Sequence, residues 1–386
     1  MKILLIHQYF KTPEEGSGIR SWYLAQAFQN AGHEVMILSG HDKLAGRHTV
    51  KGLNIHYFRI PYGNHFGFQK RIWAYFNYVI KCLIYLRKHH AYDFLYILST
   101  PLTTGWIGLS AKNNYGINYA FEVGDLWPLA PIQMGAIKNK WLISRLYQFE
   151  ERIYRNALLL AGLSKEISRA IGYTIDFEKN VEVISNMADC QFFQPIKNIP
   201  EKFTNKTPMI IGYQGAIGKA NHIEYLLDLA EALKMAELPI SIRIMGDGSE
   251  KKRLLAQSQA FENVSWVTPG GKAEVREELN NTHITYISYA SVPVLETGCP
   301  NKLFDGLAAG KMIVINFKGW IHELIKEHEC GVSYNCAKPT QAVDLLRRFV
   351  DSPLLLEAYQ ENARKLAEQK FDVPKVTITA LEMIQK

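Results

Sequence analysis

Apolar residues fall into short continuous runs, separated by stretches in which they return every third or fourth position. Lys2–His7 is an apolar run of strand length, and Gly16-Ser17-Gly18 after it predicts a tight turn. Ile19–Ala31 then has helical spacing, with Gly32 to end it. Glu34–Ser39, Phe94–Leu98, Asn118–Val123 and Leu158–Leu163 predict further strands, and Trp141–Asn156 a long amphipathic helix. From about Asn186 the pattern lapses into a polar stretch with three prolines, ISNMADCQFFQPIKNIPEKFTNKTP, which reads as a linker. Alternation then restarts. Strands are predicted at Met209–Tyr213, Ile240–Met245, Val264–Val267, Ile284–Ser288 and Met312–Asn316. Helices are predicted at His222–Lys234, Glu250–Gln259, Asp344–Phe349 and Leu354–Gln369.

Strands alternating with helices imply parallel sheets covered on both faces. The expected fold is α/β, with two Rossmann-like, doubly wound units in tandem: residues 1–195, residues 196–365, and a last helical segment, 366–386. A length of 386 residues suits two domains of ~150 residues or more, and 47% apolar residues suffice for two cores. Ligands of such sheets lie at the carboxyl ends of the strands, so the expected site is the cleft between the units.

The five cysteines (82, 190, 299, 330 and 336) are scattered, with no CxxC pair, which argues against a disulfide framework or a zinc site. MKILLIHQYF has no small-residue cleavage site after its short apolar run, and no stretch reaches the ~18 apolar residues of a membrane span. A cytoplasmic protein is expected. The net charge of +7 is concentrated in the first half: residues 1–196 hold 21 Lys+Arg against 14 Asp+Glu, whereas the remainder is balanced. That asymmetry suggests an anionic partner.

Five stretches could carry chemistry. HQYFKTPEEGSGIR follows the first strand, and its glycines Gly16 and Gly18, flanking Ser17, would let backbone N–H groups approach an anion; a plain strand-to-helix turn is the ordinary alternative. GYQGAIGKANHIEYLL repeats the arrangement in the second unit, with Gly215, Gly218 and then Lys219 as a charge for phosphate or as a merely solvated lysine. In IMGDGSEKKRL, Asp247 reads as turn chemistry. Glu122 and Asp125 lie at the end of a predicted strand, where the cleft should be. Finally, CPNKLFDGLAAGK would start a helix at Pro300 or Asn301. The free N–H groups of its first turn, the charge of Lys302 and the carboxylate of Asp305 one turn on match a diphosphate with a ribose attached.

Taken in order, QYFKTPEEGSG, DLWP (Asp125–Pro128) and PNKLFDGLAAGKM (Pro300–Met312) resemble family 4 retaining glycosyltransferases of GT-B fold, and most of all the bacterial capsule and O-antigen group similar to N-acetyl-fucosamine transferases. The resemblance covers almost the whole chain. It implies two domains facing across a cleft, the first for the acceptor and the second for a nucleotide-sugar donor, with the C-terminal helix packing back on the first. It implies a hexosyltransferase using a UDP-linked sugar, with no metal and no cofactor besides the donor. Donor contacts would fall on Gly16, Ser17, Gly18, Gly215, Lys219, Glu296, Asn301, Lys302, Leu303 and Asp305, and catalytic roles on Asp125, Glu122 and Lys219. The family's E-x7-E signature is altered: its second acid falls on Asp305 and its first on Thr297, beside Glu296. Gly124 stands where many relatives carry a His or Arg before the DLWP aspartate.

Gly63–His90 mixes bases (Lys70, Arg71, Lys81, Arg87, Lys88) with aromatics (Phe66, Phe68, Trp73, Tyr75, Phe76, Tyr78). It reads either as an interfacial helix on the cytoplasmic face of an inner membrane, or as a core helix with a basic outer face. The first reading makes the acceptor a lipid-linked sugar of surface polysaccharide (lipopolysaccharide or capsule) biosynthesis; a free saccharide is the other acceptor expected. Two alternatives compete: a GT-B nucleotide-sugar epimerase, and a non-enzymatic basic module binding membrane or nucleic acid. The donor motifs argue against nucleic acid.

Overall fold

The computed structural model describes residues 1–16, 19–63 and 66–385. The apolar runs form two parallel sheets. The first holds β1 (Lys2–Ile6), β2 (Glu34–His41), β3 (Gly46–Val50), β4 (Leu53–Arg59), β5 (Phe94–Ser99), β6 (Asn118–Val123), β7 (Leu159–Gly162) and β8 (Val181–Val183), in the order β3-β4-β2-β1-β5-β6-β7-β8. Every pairing in it is parallel except β3 with β4. The second holds β9 (Met209–Ala216), β10 (Ile240–Asp247), β11 (Val264–Val267), β12 (Ile284–Ile287), β13 (Met312–Ile315) and β14 (Gly331–Ser333), in the order β11-β10-β9-β12-β13-β14.

Side chains alternate across a strand, so each sheet feeds two cores. In β1, Leu4 and Ile6 join the side covered by the helices Phe68–Lys88, Gly105–Tyr115 and Lys140–Asn156. Ile3 and Leu5 join the opposite side with Trp22, Leu24 and Phe28 of the helix Arg20–Asn30. In β13, Ile313 and Ile315 meet Leu303, Phe304 and Leu307, whereas Met312 and Val314 face Leu346 and Phe349.

The structure departs from the expected elements in two places that matter. The stretch 46–59 is an antiparallel hairpin, with Lys51 (φ 47°) and Gly52 (φ 86°) both left-handed, as a two-residue turn compatible with strand twist requires. The supposed linker is also pinned: Met187, Ala188, Cys190 and Phe193 are buried, the Ala188 N–H donates to the Phe371 carbonyl at 2.7 Å, and the Ala188 carbonyl accepts from the Val373 N–H at 3.1 Å.

That ladder is also where the chain returns. After the helix Pro353–Leu366 and a wider π-type turn, Ala367–Phe371, the final helix Val373–Gln385 lays Val376, Ala380, Met383 and Ile384 on the first domain's core. Because Met383 is 1% exposed, Met383→Ala is expected to cost about 2–5 kcal/mol. Denaturant unfolding measures this, and an unchanged midpoint would mean that the helix does not hold the first domain.

Candidate active site

The carboxyl ends of both sheets face one another across a cavity of about 490 Å³. Its first-domain wall includes Tyr9, Lys11, Glu15 and Gly16; its second-domain wall is made by the ends of β9 and β10, Pro269-Gly270, and the helix Asn301–Ala308. Close backbone approach builds the second wall. A Cβ on Gly246 would stand 2.1 Å from the Gly215 carbonyl oxygen, and one on Gly215 would stand 2.8 Å from the Lys302 Nζ. Asp247 serves its own turn, its carboxylate accepting from the Gly248 N–H at 2.9 Å.

Lys302 lies on the first turn of its helix and lines the cavity. Its ammonium donates to the Tyr213 hydroxyl at 2.9 Å and sits 4.1 Å from that ring's centre. Burial lowers its pKa to about 7. Asp305, one turn on, is 8% exposed, and among the described residues its carboxyl has no hydrogen-bond partner. Burial raises its pKa to about 7; the nearby Lys272 charge opposes that shift and Asp189 adds to it. Asn301 is exposed and also lines the cavity.

The structure thus brings together Gly16, Gly215, Asn301, Lys302 and Asp305. It does not bring every expected residue there. Leu303 is wholly buried and its N–H is committed to the Pro300 carbonyl at 3.1 Å, so neither part of it faces the cavity. Lys219 is exposed on the turn after β9 and lies outside the cavity wall, whose lysines are Lys11 and Lys302. Glu296 is half-buried on the short turn Pro293–Thr297, likewise outside this wall. Ser17 and Gly18 lie outside the described residues.

A second cavity of about 260 Å³ shares Tyr9 and Asn301 with the first and adds His7, Thr100, Glu122 and Asp125. Asp125 remains open to water, yet the protein around it raises its carboxyl above the ordinary range. Burial lowers the His7 pKa to about 4, the Arg20 charge acting the same way and Glu122 against it, so the imidazole is neutral near pH 7. Glu122 does not stand ready as a base. Arg20 grips both of its oxygens, at 2.7 and 2.8 Å, and Tyr96 donates to one at 2.5 Å. Arg20 in turn donates to the Ile184 carbonyl at 2.9 Å and to that of Ser185. Glu122 therefore positions Arg20 and the start of the connecting segment.

Lys272, 3% exposed, begins a helix in the second domain and binds the Asp189 carboxylate and the Tyr23 hydroxyl. Its Nζ lies 4.9 Å from the Tyr23 ring centre and 4.4 Å from that of Phe192, and its N–H donates to the Pro13 carbonyl at 3.3 Å. Burial alone would raise the Asp189 pKa, but the hydrogen bonds from Lys272 and Tyr23 outweigh it and hold the carboxyl below its usual range. His7, Lys11, Arg20 and Lys272 were not singled out from the sequence. The first three lie in or beside HQYFKTPEEGSGIR, and Lys272 directly follows Gly270-Gly271. Among the described residues, no cluster of three or more His, Cys, Asp or Glu is placed to hold a metal ion.

Known families match this arrangement. Residues 15–186 match the glycosyl transferase 4-like domain, and residues 195–366 match glycosyl transferases group 1. Among solved structures, sucrose-phosphate synthase from Thermosynechococcus elongatus superposes with a TM-score of 0.79 at 14% identity, over 100% of this chain and 98% of that one. Anabaena HepE in complex with UDP and glucose gives 0.72 at 16%, over 100% of both chains. WaaG, a glycosyltransferase involved in lipopolysaccharide biosynthesis, gives 0.67 at 14%, over 99% of both. No curated protein sequence is significantly similar. The fold is GT-B, and the chain belongs to the glycosyltransferases of family 4 type.

If this cavity takes a nucleoside diphosphate, its affinity is expected to peak near pH 7. Above that, Lys302 arrives neutral and must take up a proton to meet a diphosphate, so Kd weakens towards about tenfold per pH unit. Below it, Asp305 arrives protonated and is a poorer acceptor for hydroxyls. Lys302→Met should remove the alkaline limb and Asp305→Asn the acid limb, each with weaker binding. Calorimetry across this range checks it; wild-type affinity in both variants would overturn the assignment.

Proposed function

We propose that the chain transfers a sugar, with retention of configuration, from a UDP-linked donor to a lipid-linked or saccharide acceptor in the assembly of bacterial surface polysaccharide. The observation that carries this is the cavity wall on which Lys302 and Asp305, the latter without a partner among the described residues, share one helix next to its N-terminus. A diphosphate meets the N–H groups and Lys302, and a ribose meets Asp305. The UDP and glucose named with HepE, and the lipopolysaccharide role named for WaaG, support donor and pathway class by analogy.

In the proposed step, the bond from the sugar's anomeric carbon to the β-phosphate oxygen breaks and a bond to the acceptor hydroxyl oxygen forms on the same face. The hydroxyl proton passes to the departing phosphate. Charge builds on that phosphate, where Lys302 and the helix N-terminus stabilise it, so neither a metal nor a further cofactor is required. Asp125 and neutral His7 border the adjoining small cavity, where they can orient the acceptor hydroxyl.

A thermal-shift titration with UDP, GDP and ADP should raise the melting temperature most with UDP. Turnover of UDP-sugars with polyprenyl-diphosphate-linked and free saccharides should release UDP, form a retained glycoside, and persist in excess chelator. No shift with any nucleotide would sink the reading, and UDP-sugar isomerised without acceptor would point to an epimerase instead.

The helix Phe68–Lys88 bears on the acceptor. Its inner face (Ala74, Tyr75, Tyr78, Val79, Cys82) is buried, and its outer face is basic only at the ends. Trp73 (71% exposed), Phe76, Ile80 and Ile84 form an outward apolar stripe, with Lys70 at one end and Arg87 and Lys88 at the other. The exposed Trp106 ring lies 5.8 Å from that of Phe76 and extends the stripe. No described helix is long and apolar enough to cross a membrane. An apolar stripe with basic ends suits the surface of an anionic bilayer. Trp73→Ser combined with Ile80→Ser should reduce flotation with phosphatidylglycerol vesicles about tenfold while leaving the melting temperature nearly unchanged. Undiminished flotation would count against membrane docking.

A further inference from the structure

A third cavity, of about 600 Å³, opens in the first domain beside the other two, with Tyr9, Lys11 and Glu15 as walls shared with the donor side. That volume falls within the range of small-molecule sites, about 300–1,000 Å³. Its remaining wall comes from the ends of β1, β2 and β4 and includes Gln8, His41, Asp42 and Tyr62. None of these residues takes part in the donor contacts described above.

The polar groups here divide into spent and unspent. Glu15 is spent, one oxygen on His41 at 3.0 Å and the other on the Thr12 N–H at 2.9 Å. The His41 Nδ1 is spent on the N–H groups of Lys43 and Leu44, at 3.0 and 2.9 Å. Asp42 uses one oxygen to accept from the Tyr62 N–H at 2.8 Å, and among the described residues its other oxygen has no partner. Gln8 is 3% exposed, and among the described residues neither atom of its side-chain amide has a hydrogen-bond partner. A buried amide with both its donor and its acceptor unmet is costly unless a ligand or water completes it. Beside these groups, the rings of Tyr9 and Tyr62 lie 4.6 Å apart and form an aromatic wall.

The chemistry of this lining selects against an anion. One lysine, Lys11, stands against two carboxylates, Glu15 and Asp42. A neutral polyol fits better, since its hydroxyls both donate and accept, as Gln8 and Asp42 together require, and the apolar face of a sugar ring packs on tyrosine. We propose that this cavity binds a neutral saccharide unit of the acceptor, one removed from the sugar that receives the transfer. This rests on the transferase reading and adds to it that the acceptor is a glycan of at least two units, recognised through Gln8, Asp42 and Tyr62.

The test uses the full chain with saturating UDP on an array of neutral oligosaccharides of hexoses, deoxyhexoses and N-acetylhexosamines, followed by saturation-transfer NMR with the best glycan. At least one glycan should bind. Asp42→Asn, which keeps an acceptor for the Tyr62 N–H, should weaken it about tenfold, and Tyr62→Ala more, while affinity for UDP stays at the wild-type value. Inorganic phosphate should not compete. Glycan binding absent from a protein that binds UDP would overturn the proposal and leave the transferase reading standing. Undiminished glycan binding in Asp42→Asn would overturn it too, as would displacement by phosphate. A protein that binds no nucleotide fails the transferase reading itself.

Discussion

Everything at the cleft depends on one desolvated cation. Lys272 belongs to the second domain, yet its charge is satisfied by Asp189 in the connecting segment and by Tyr23 of the first domain. Breaking a buried ion pair leaves an uncompensated charge, at a cost of about 3–5 kcal/mol, so the arrangement resists opening at this point. The neighbouring backbone is equally tight: a Cβ on Gly271 would come within 2.9 Å of the Glu14 carbonyl oxygen. The donor cavity lies against this clamp. Pro269 and Gly270, just before Lys272, are part of its wall, and Lys272 and Asp189 both act on the charge of Asp305. The pair that ties the two domains together thus also acts on the ionisation of the proposed ribose contact, which burial raises and these two charges trim in opposite directions.

Partners, more than location, sort the acids at the strand ends. Glu122 and Asp125 are three residues apart and border the same small cavity, but Glu122 is saturated by Arg20 and Tyr96, whereas crowding raises the Asp125 carboxyl while it stays open to water. Asp305 has no hydrogen-bond partner among the described residues, and burial brings its pKa close to neutrality. A structural carboxylate is one whose lone pairs the fold has already used. By that criterion Asp305 and Asp125 remain available to substrate and Glu122 does not.

Apolar runs and helical spacing mark most strands of both sheets, because a buried parallel strand is a continuous apolar run with little else it can be, but they pass over the short edge strands β8 and β14. The hairpin at 46–59 escaped notice because its strands, GRHTV and LNIHYFR, carry polar residues at a sheet edge and its turn is Lys-Gly rather than Asn-Gly. The segment 184–208 looks like a linker by composition, and only the return of the chain at Phe371–Val373 shows why its apolar residues are buried. At the site, a glycine-rich turn followed by lysine drew attention to Lys219. Of Lys219 and Lys302, both named from the sequence, only Lys302 reaches the cavity, where Gly215 leaves the room for it. Spacing along one element locates a helix start; it does not report which of two lysines on neighbouring elements fills the shared space. Lys272 and Asp189 could not be paired from sequence for the same reason, being 83 residues apart.

The helix Phe68–Lys88 shows where periodicity falls silent. Both of its faces are apolar, so spacing alone does not say which is inside; burial does, placing Tyr75 and Tyr78 inward and Trp73 and Ile80 outward. The inward face leads back to the cleft. The Tyr75 ring lies 6.1 Å from that of Trp127, in the DLWP loop beside Asp125, and 6.1 Å from that of Tyr62 on the wall of the third cavity. One helix therefore backs the walls of both first-domain cavities with one face and leaves the apolar stripe of its other face exposed. The inward tyrosines must pack against both cavity walls, so the position of the exposed stripe is fixed by the same constraint that shapes the site.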